Sequence, residues 1–297
     1  MSARVLAVVV AVSVLLASAP VDALTLRDML GRTVTLPLPP TRIVSLVPSV
    51  TEIVFSLGAE ERLVGRTDFC DYPAAVRGKP SVGGMVNPNL ETLVALKPDL
   101  VVATDEGNRE ETFRQLERLR IPIYLVHANR IAETVDLIAR VGELTGRQAD
   151  VPRLTGEMQR RIDAVRRAVA PFGRPRVLYV LWPDPLIVPG RASMLTELIE
   201  VAGGVSITGG DGDAYPRFSL ELAVARAPEV IILADHSTGA STAGRASPER
   251  WQRLVSVPAI RAGRLHSADL SILHRYGPRV PEGLETLARM IHPEAFR

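Results

Sequence analysis

The sequence predicts an α/β protein of two lobes, each built on a parallel sheet, with one long helix joining them. Three observations lead there. Short apolar runs alternate with helix-periodic segments along both halves of the 297 residues. A patterned stretch of the first half, Leu90-Glu91-Thr-Leu-Val94-Ala95-Leu-Lys-Pro98-Asp99-Leu-Val-Val, returns about 130 residues later as Leu220-Glu221-Leu-Ala-Val224-Ala225-Arg-Ala-Pro228-Glu229-Val-Ile-Ile. Between the halves, Asp150 to Ala170 reads as a single helix. An ordinary surface helix in a single domain is the competing interpretation of that last stretch, and the flanking symmetry decides against it.

Taken in order, residues 1–23 are expected to be a signal peptide. Arg4 gives a positive start, and the apolar run from Val5 to Ala17 is short for a bilayer span; a retained membrane anchor is the competing interpretation, since the cleavage site is not a clean Ala-x-Ala. Ala23 offers a small residue before a mature chain that begins near Leu24. Cys70 is the sole cysteine, so a lipid-anchoring cysteine after the leader is missing and no internal disulfide can form. Cys70 itself reads as a small buried hydrophobe rather than a nucleophile.

The first lobe is expected over 24–147. Thr25 to Leu36 suits an edge hairpin turning at Gly31-Arg32. Ile43 to Val47 reads as a buried strand, Pro48-Ser49 as a turn, and Thr51 to Leu57 as a helix closed by Gly58. Further strands are expected at Leu63 to Arg66, Leu100 to Ala103 and Ile121 to Val126. Helices are expected at Leu90 to Leu96, Glu110 to Leu119 and Ile131 to Leu144. The polar loops Pro48-Ser49 and Thr104 to Asn108 follow strands, where ligands gather in open α/β sheets.

The joining helix falls within 148–171. Asp150 is placed as its N-cap and Pro152 in its first turn, with Pro171 and Gly173 ending it. Leu154, Met158, Ile162, Val165 and Val169 form one apolar stripe. Glu157 with Arg161, and Asp163 with Arg167, are spaced to pair on the wet face. The second lobe, 172–297, repeats the first. Arg176 to Trp182 answers Arg42 to Pro48, and Thr196-Glu197-Leu198 answers Thr51-Glu52-Ile53. A small-residue loop runs from Asp235 to Arg245, and a helix is expected to start at Ser247-Pro248-Glu249. The strand ending at Asp269 and a helix from about Pro281 to Ile291 close the chain.

Composition narrows the function. A net charge of +2, with arginines and acids mixed along helices, gives no basic field for nucleic acid, and 4% aromatic residues leave few stacking platforms. A secreted α/β hydrolase is the alternative of another class, since histidines, acids and serines are present. Against it, Gly-x-Ser-x-Gly, Walker, His-Glu-x-x-His and Gly-x-Gly-x-x-Gly motifs are all missing, and no catalytic residue or resident metal is expected. Asp211-Gly212-Asp213 lacks the rest of a calcium loop and reads as a plain turn.

Four motifs together carry a resemblance: Arg42-Ile-Val-Ser-Leu-x-Pro-Ser-x-Thr-Glu, Asp71-Tyr72-Pro73, Asn89-Leu-Glu91 leading to Leu96-Lys-Pro-Asp-Leu-Val, and Trp251 through Val257-Pro-Ala to Gly263-Arg264-Leu265. The mature chain resembles the helical-backbone class of periplasmic substrate-binding proteins, which deliver ligands to ABC importers, and within it the cobalamin-binding proteins. The resemblance implies two Rossmann-like lobes, a small molecule held between them, little lobe movement, a periplasmic monomer and no resident cofactor. Carried over by position, the ligand-binding residues would be Pro48, Ser49, Phe69, Gly83, Gly84, Thr104, Asp105, Trp182, Tyr215, Asp269 and His274. Cobalamin (a corrinoid) is the implied cargo. This chain departs from that pattern, having Gly83 or Gly84, and Thr104, where cobalamin binders present tryptophans. A ferric siderophore or haem therefore stays open, with Tyr215, His274 or Tyr276 as contacts, although a histidine such as His274 at a helix terminus needs no ligand. Glu91 and Glu221, one per lobe, would dock onto arginines of the two permease subunits. Acids are also favoured in a first helical turn by the macrodipole alone.

Overall fold

The computed structural model describes residues 23–37, 39–235 and 251–297. The expected leader before Ala23, most of the Asp235 to Arg245 loop and the helix start at Ser247 lie outside the described residues. An antiparallel hairpin, β1 (Ala23–Arg27) and β2 (Thr33–Pro37), comes first and turns through Gly31 at φ +82°. The first lobe then sets out β3 (Ile43–Ser45), α1 (Pro48–Ser56), β4 (Leu63–Arg66), α2 (Leu90–Ala95), β5 (Leu100–Thr104), α3 (Glu110–Arg118), β6 (Ile123–Val126) and α4 (Ile131–Thr145). Its strands are all parallel, in the order β4-β3-β5-β6.

After the joining helix α5 (Val151–Val169), the second lobe repeats that order. It contains β7 (Arg176–Val180), a small hairpin of β8 (Trp182–Pro183) and β9 (Leu186–Ile187), α6 (Met194–Val201), β10 (Val205–Ser206), α7 (Leu220–Ala225) and β11 (Val230–Asp235). It ends with α8 (Pro258–Arg261), β12 (Leu265–Asp269), α9 (Leu270–Leu273) and α10 (Val280–Ile291). The sheet order β10-β7-β11-β12 matches that of the first lobe position for position, and again every pairing is parallel. The two sheets are separate, as the repeat predicts.

Strand residues are buried on both faces because helices cover both faces of a parallel sheet. Side chains alternate between them: Ile43, Val102, Val177, Tyr179, Val230 and Ile232 face inward, while Val44, Val101, Leu178, Val180 and Ile231 enter separate outer cores. The inward set belongs to one continuous core that runs through both lobes and includes the whole predicted stripe of α5. Each of those α5 side chains is buried, which stabilises the junction by roughly 1.5–3 kcal/mol apiece for the larger aliphatics. The long helix thus couples the lobes through a shared core.

Three local expectations are corrected. Pro48-Ser49 is the first turn of α1, not a separate turn, since Pro48 at the start of a helix sacrifices no intrahelical hydrogen bond. Asp150 precedes α5 but its side chain caps nothing, because a 3-10 turn over Gln148–Asp150 already carries the chain into the helix. The paired charges expected along α5 are redirected: Arg161 donates Nε and Nη2 to Glu285 of α10 at 2.9 and 3.0 Å, and Asp163 takes Arg166 and Gln159. A bidentate partner on a neighbouring helix outcompetes a single contact one turn away. Cys70 is buried beside Thr67, and Asp211 pairs with Arg226.

Candidate functional site

Between the lobes lies a cleft of ≈ 380 Å³. Parallel register builds its first wall. Val47, Pro48 and Ser49 follow β3, Thr104 and Glu106 end β5, and Val126, His127 and Ala128 end β6. Phe69, Met85 and Leu137 complete that side. The second lobe contributes one segment after β12: Leu270, Ser271, His274, Arg275 and Tyr276. Gly277 lets this segment lie against α1, since a Cβ there would stand 3.2 Å from the Cβ of Ser49.

Behind each wall the polar groups are engaged. Pairing of Thr104 with Val126 brings the next residues, Asp105 and His127, side by side, with Nδ1 of His127 3.2 Å from Asp105 Oδ1. Asn108 holds the two loops together, accepting from the Thr104 amide at 2.8 Å and donating to the Met85 carbonyl at 2.7 Å. On the opposite wall Tyr276 and Tyr215 share a hydroxyl hydrogen bond of 2.8 Å, and Tyr179 lies 3.1 Å from His274 Nε2. Burial pushes the phenols of Tyr179, Tyr215 and Tyr276 up, so all three stay protonated at neutral pH.

A buried ion network joins the walls at one end. Glu52 of α1 is 2% exposed and receives Arg279 Nε and Nη2 at 2.9 and 2.7 Å, with Arg275 3.4 Å away. Arg275 also pairs with Asp71 across the lobes. Burial opposes ionisation of Asp71, but the hydrogen bond and charge of Arg275 outweigh it and hold the carboxyl below its ordinary range. Arg279 stacks 4.2 Å over the Tyr72 ring. A second crossing uses Glu197 of α6, which accepts the Ile131 amide at the start of α4 at 3.0 Å.

Of the eleven residues expected at the ligand, Pro48, Ser49, Phe69, Thr104 and His274 line the cleft. The other six do not. Asp105 stands beside His127 and Tyr215 beside Tyr276, each in hydrogen-bond contact with a residue that does line the cleft. Asp269 caps α9 by accepting the Ser271 amide. Gly83, at φ +87°, and Gly84 shape the loop that delivers Met85 instead. Trp182 belongs to the β8-β9 hairpin and donates Nε1 to the Asp184 carbonyl. His127 and Glu106 were legible by the same strand-end rule that marks Pro48 and Thr104, whereas nothing local to the sequence marks Arg275.

Glu91 and Glu221 are both exposed, each in the first turn of a six-residue helix, and the amide three residues after each cap is received by Asn89 and Ser219 respectively. Ser219 also donates to Glu221 at 2.6 Å, which lowers the pKa of that carboxyl. Among the described residues no helix is long and apolar enough to cross a membrane, and no cluster of three or more His, Cys, Asp or Glu is arranged to hold a metal ion.

Similarity to known proteins agrees with this architecture. A substrate-binding lipoprotein of an ABC transporter from Bacillus subtilis is 28% identical over 280 residues, 92% of this chain and 87% of its own. The vitamin B12-binding protein of Vibrio cholerae is 26% identical over 249 residues, covering 84% and 88%. A solved periplasmic heme-binding protein from Pseudomonas aeruginosa superposes with a TM-score of 0.76 at 27% identity over 86% of this chain and 93% of that one. With two equivalent parallel-sheet lobes, a shared helical spine and a cleft at the strand ends, and with residues 43–269 matching the family as a whole, the chain belongs to the periplasmic binding protein family.

Proposed function

We propose that the chain captures a corrinoid in the cleft between its lobes and delivers it to the permease of an ABC importer in the periplasm. The observation that carries this reading is the cleft itself: a largely apolar slot whose two walls come from different lobes joined through a shared core. The Vibrio cholerae relative, named for vitamin B12 binding, supports the corrinoid. Haem is the second reading. It is favoured by His127, His274 and Tyr276 lining the cleft, since imidazole and phenolate hold haem iron, and by the Pseudomonas aeruginosa relative. The flat aromatic surface is modest, Phe69 and Tyr276 being its members.

Delivery rests on Glu91 and Glu221, one exposed acid per lobe at equivalent points of the repeat, each engaging an arginine of one permease subunit. Exposed pairs of this kind contribute roughly 0.2–1 kcal/mol each, so they set orientation more than affinity. The test of the cargo is retained colour. Purified protein is mixed with cyanocobalamin, haemin and a ferric siderophore in turn, and desalted. Cobalamin is expected to stay with the protein. Retention of haemin alone would replace the first reading by the second, and retention of none would overturn both.

A further inference from the structure

Of the two histidines that line the cleft, the one in the first lobe is held by carboxylates. His127 lies one residue beyond β6, in the cleft wall, with its side chain 31% exposed. Asp105, one residue beyond the neighbouring β5, meets Nδ1 at 3.2 Å, and Glu106 adds a second carboxylate oxygen at 3.9 Å. An ionised carboxylate can only accept, so Nδ1 carries the proton and the basic lone pair sits on Nε2. Nε2 meets the side-chain nitrogen of Asn129 at 3.4 Å, a long and therefore weak hydrogen bond, and the same nitrogen donates its other hydrogen to Glu106 Oε1 at 2.5 Å.

A histidine whose Nδ1-H is fixed by a carboxylate, leaving Nε2 as the donor atom, has the second-shell support that metal-binding histidines use: the acid fixes the tautomer, aims the ring and raises its basicity. The opposite wall differs. His274 directs Nε2 at the Tyr179 hydroxyl, and the Tyr276 hydroxyl is tied to Tyr215. We propose that His127 ligates the metal of the bound chelate through Nε2, with Asp105 as its positioning residue. The inference rests on the metal-chelate reading of the cleft and goes further by naming the ligand class: a planar macrocyclic chelate with an exchangeable axial site. The step is a ligand exchange in which the Nε2 lone pair forms the bond, an axial water leaves, the proton stays on Nδ1 and the metal keeps its oxidation state.

Visible spectroscopy tests this with three probes. Diaquacobinamide and haemin each have an axial position that imidazole can take, whereas dicyanocobinamide has both positions blocked. On binding, the first two are expected to shift to the spectra of their imidazole adducts. In His127→Gly the shift should vanish and return when free imidazole is added, dicyanocobinamide should keep its own spectrum on binding the parent protein, and the urea midpoint of the variant reports that it is folded. Asp105→Asn should keep the shift and weaken binding of the exchangeable chelates by about 10- to 100-fold. If the parent protein retains either exchangeable chelate with its spectrum unchanged, the ligation by His127 is overturned while the function above stands. If it retains none of the three, both fall.

Discussion

Lys97 and Ala227 occupy the same place in the two lobes, just after the repeated six-residue helix, and both adopt left-handed backbone, at φ 47° and 46°. The chain around them is equally matched. Arg42 donates Nε to the Lys97 carbonyl and takes Asp99 on its amide, while Arg176 donates Nε to the Ala227 carbonyl and takes Glu229 on its amide. At the cleft this equivalence stops. The first lobe contributes the ends of three strands, the second only the segment after β12, because β7 runs instead into the β8-β9 hairpin. Scaffold and contact surface therefore repeat to different degrees within one molecule: the backbone of a lobe is constrained by its sheet, and the segments beyond the strand ends are not.

If the lobes are equivalent where they meet the importer, the largest effect should follow from removing that equivalence. Replacing Glu91 and Glu221 together by Ala is expected to reduce uptake to background in a strain that depends on this protein, with ligand retention unchanged. Each single replacement should leave partial transport, and to similar extents. Uptake at the parent level in the double variant would remove the docking role, and a large difference between the singles would show that one lobe dominates.

The crossings between lobes sharpen the contrast. Glu52 and Glu197 stand at corresponding points of α1 and α6, and each reaches into the other lobe, but to unlike partners. Glu52 neutralises two largely buried guanidinium groups, and Glu197 receives a single backbone amide. Glu52→Ala would strand Arg279 without its counter-charge and leave Arg275 with Asp71 alone, and is expected to cost about 3–5 kcal/mol, as for other broken buried pairs. Glu197→Ala removes one charge-assisted hydrogen bond and should cost about 1.5–3 kcal/mol. Urea unfolding of both variants checks the order. Equal losses would mean that the arginines are rescued by Asp71 or by water.

Much of this architecture could be read from the residues, and the unreadable parts have a physical cause. Spacing by three and four revealed the buried stripe of α5, and the Lys-Pro-Asp and Ala-Pro-Glu echoes revealed the duplication, because both depend on neighbours in the chain. The partner of Glu52 is 227 residues away, so no local periodicity could reveal that this acid is interior. The paired charges of α5 failed for the same reason, with Glu285 lying 124 residues from Arg161. Trp182 was assigned to the cleft by positional analogy, and a two-residue hairpin is enough to carry it elsewhere.

A smaller effect tests whether the shared strain is equal. Left-handed backbone costs a residue with a side chain about 1–2 kcal/mol, part of which a glycine returns as greater freedom in the unfolded chain. Lys97→Gly and Ala227→Gly should each stabilise by up to about 1 kcal/mol, by matching amounts. A gain in one lobe with a loss in the other would show that the side chain of the losing position makes contacts that outweigh its strain.

The smallest expected effect separates two residues in the same register. Tyr124 pairs with Val102 in the first sheet, and His266 pairs with Ile232 in the second. Burial raises the Tyr124 phenol to about 12, and its hydroxyl donates to the Arg27 carbonyl, so it does not titrate near neutrality. His266 has a buried Nε2 without a hydrogen-bond partner, and burial, assisted by the charge of Arg264, lowers its pKa below the ordinary imidazole value. Between that lowered value and the unfolded value of about 6.5 the unfolded chain binds more protons than the folded one, so stability must fall as pH drops through this window. The urea midpoint of the parent protein should therefore decline on acidification below about 6.5, and part of that slope should vanish in His266→Gln. The same slope in parent and variant would assign the acid sensitivity to other groups, such as the Asp71 carboxyl, whose depressed pKa makes its contribution disappear only at lower pH.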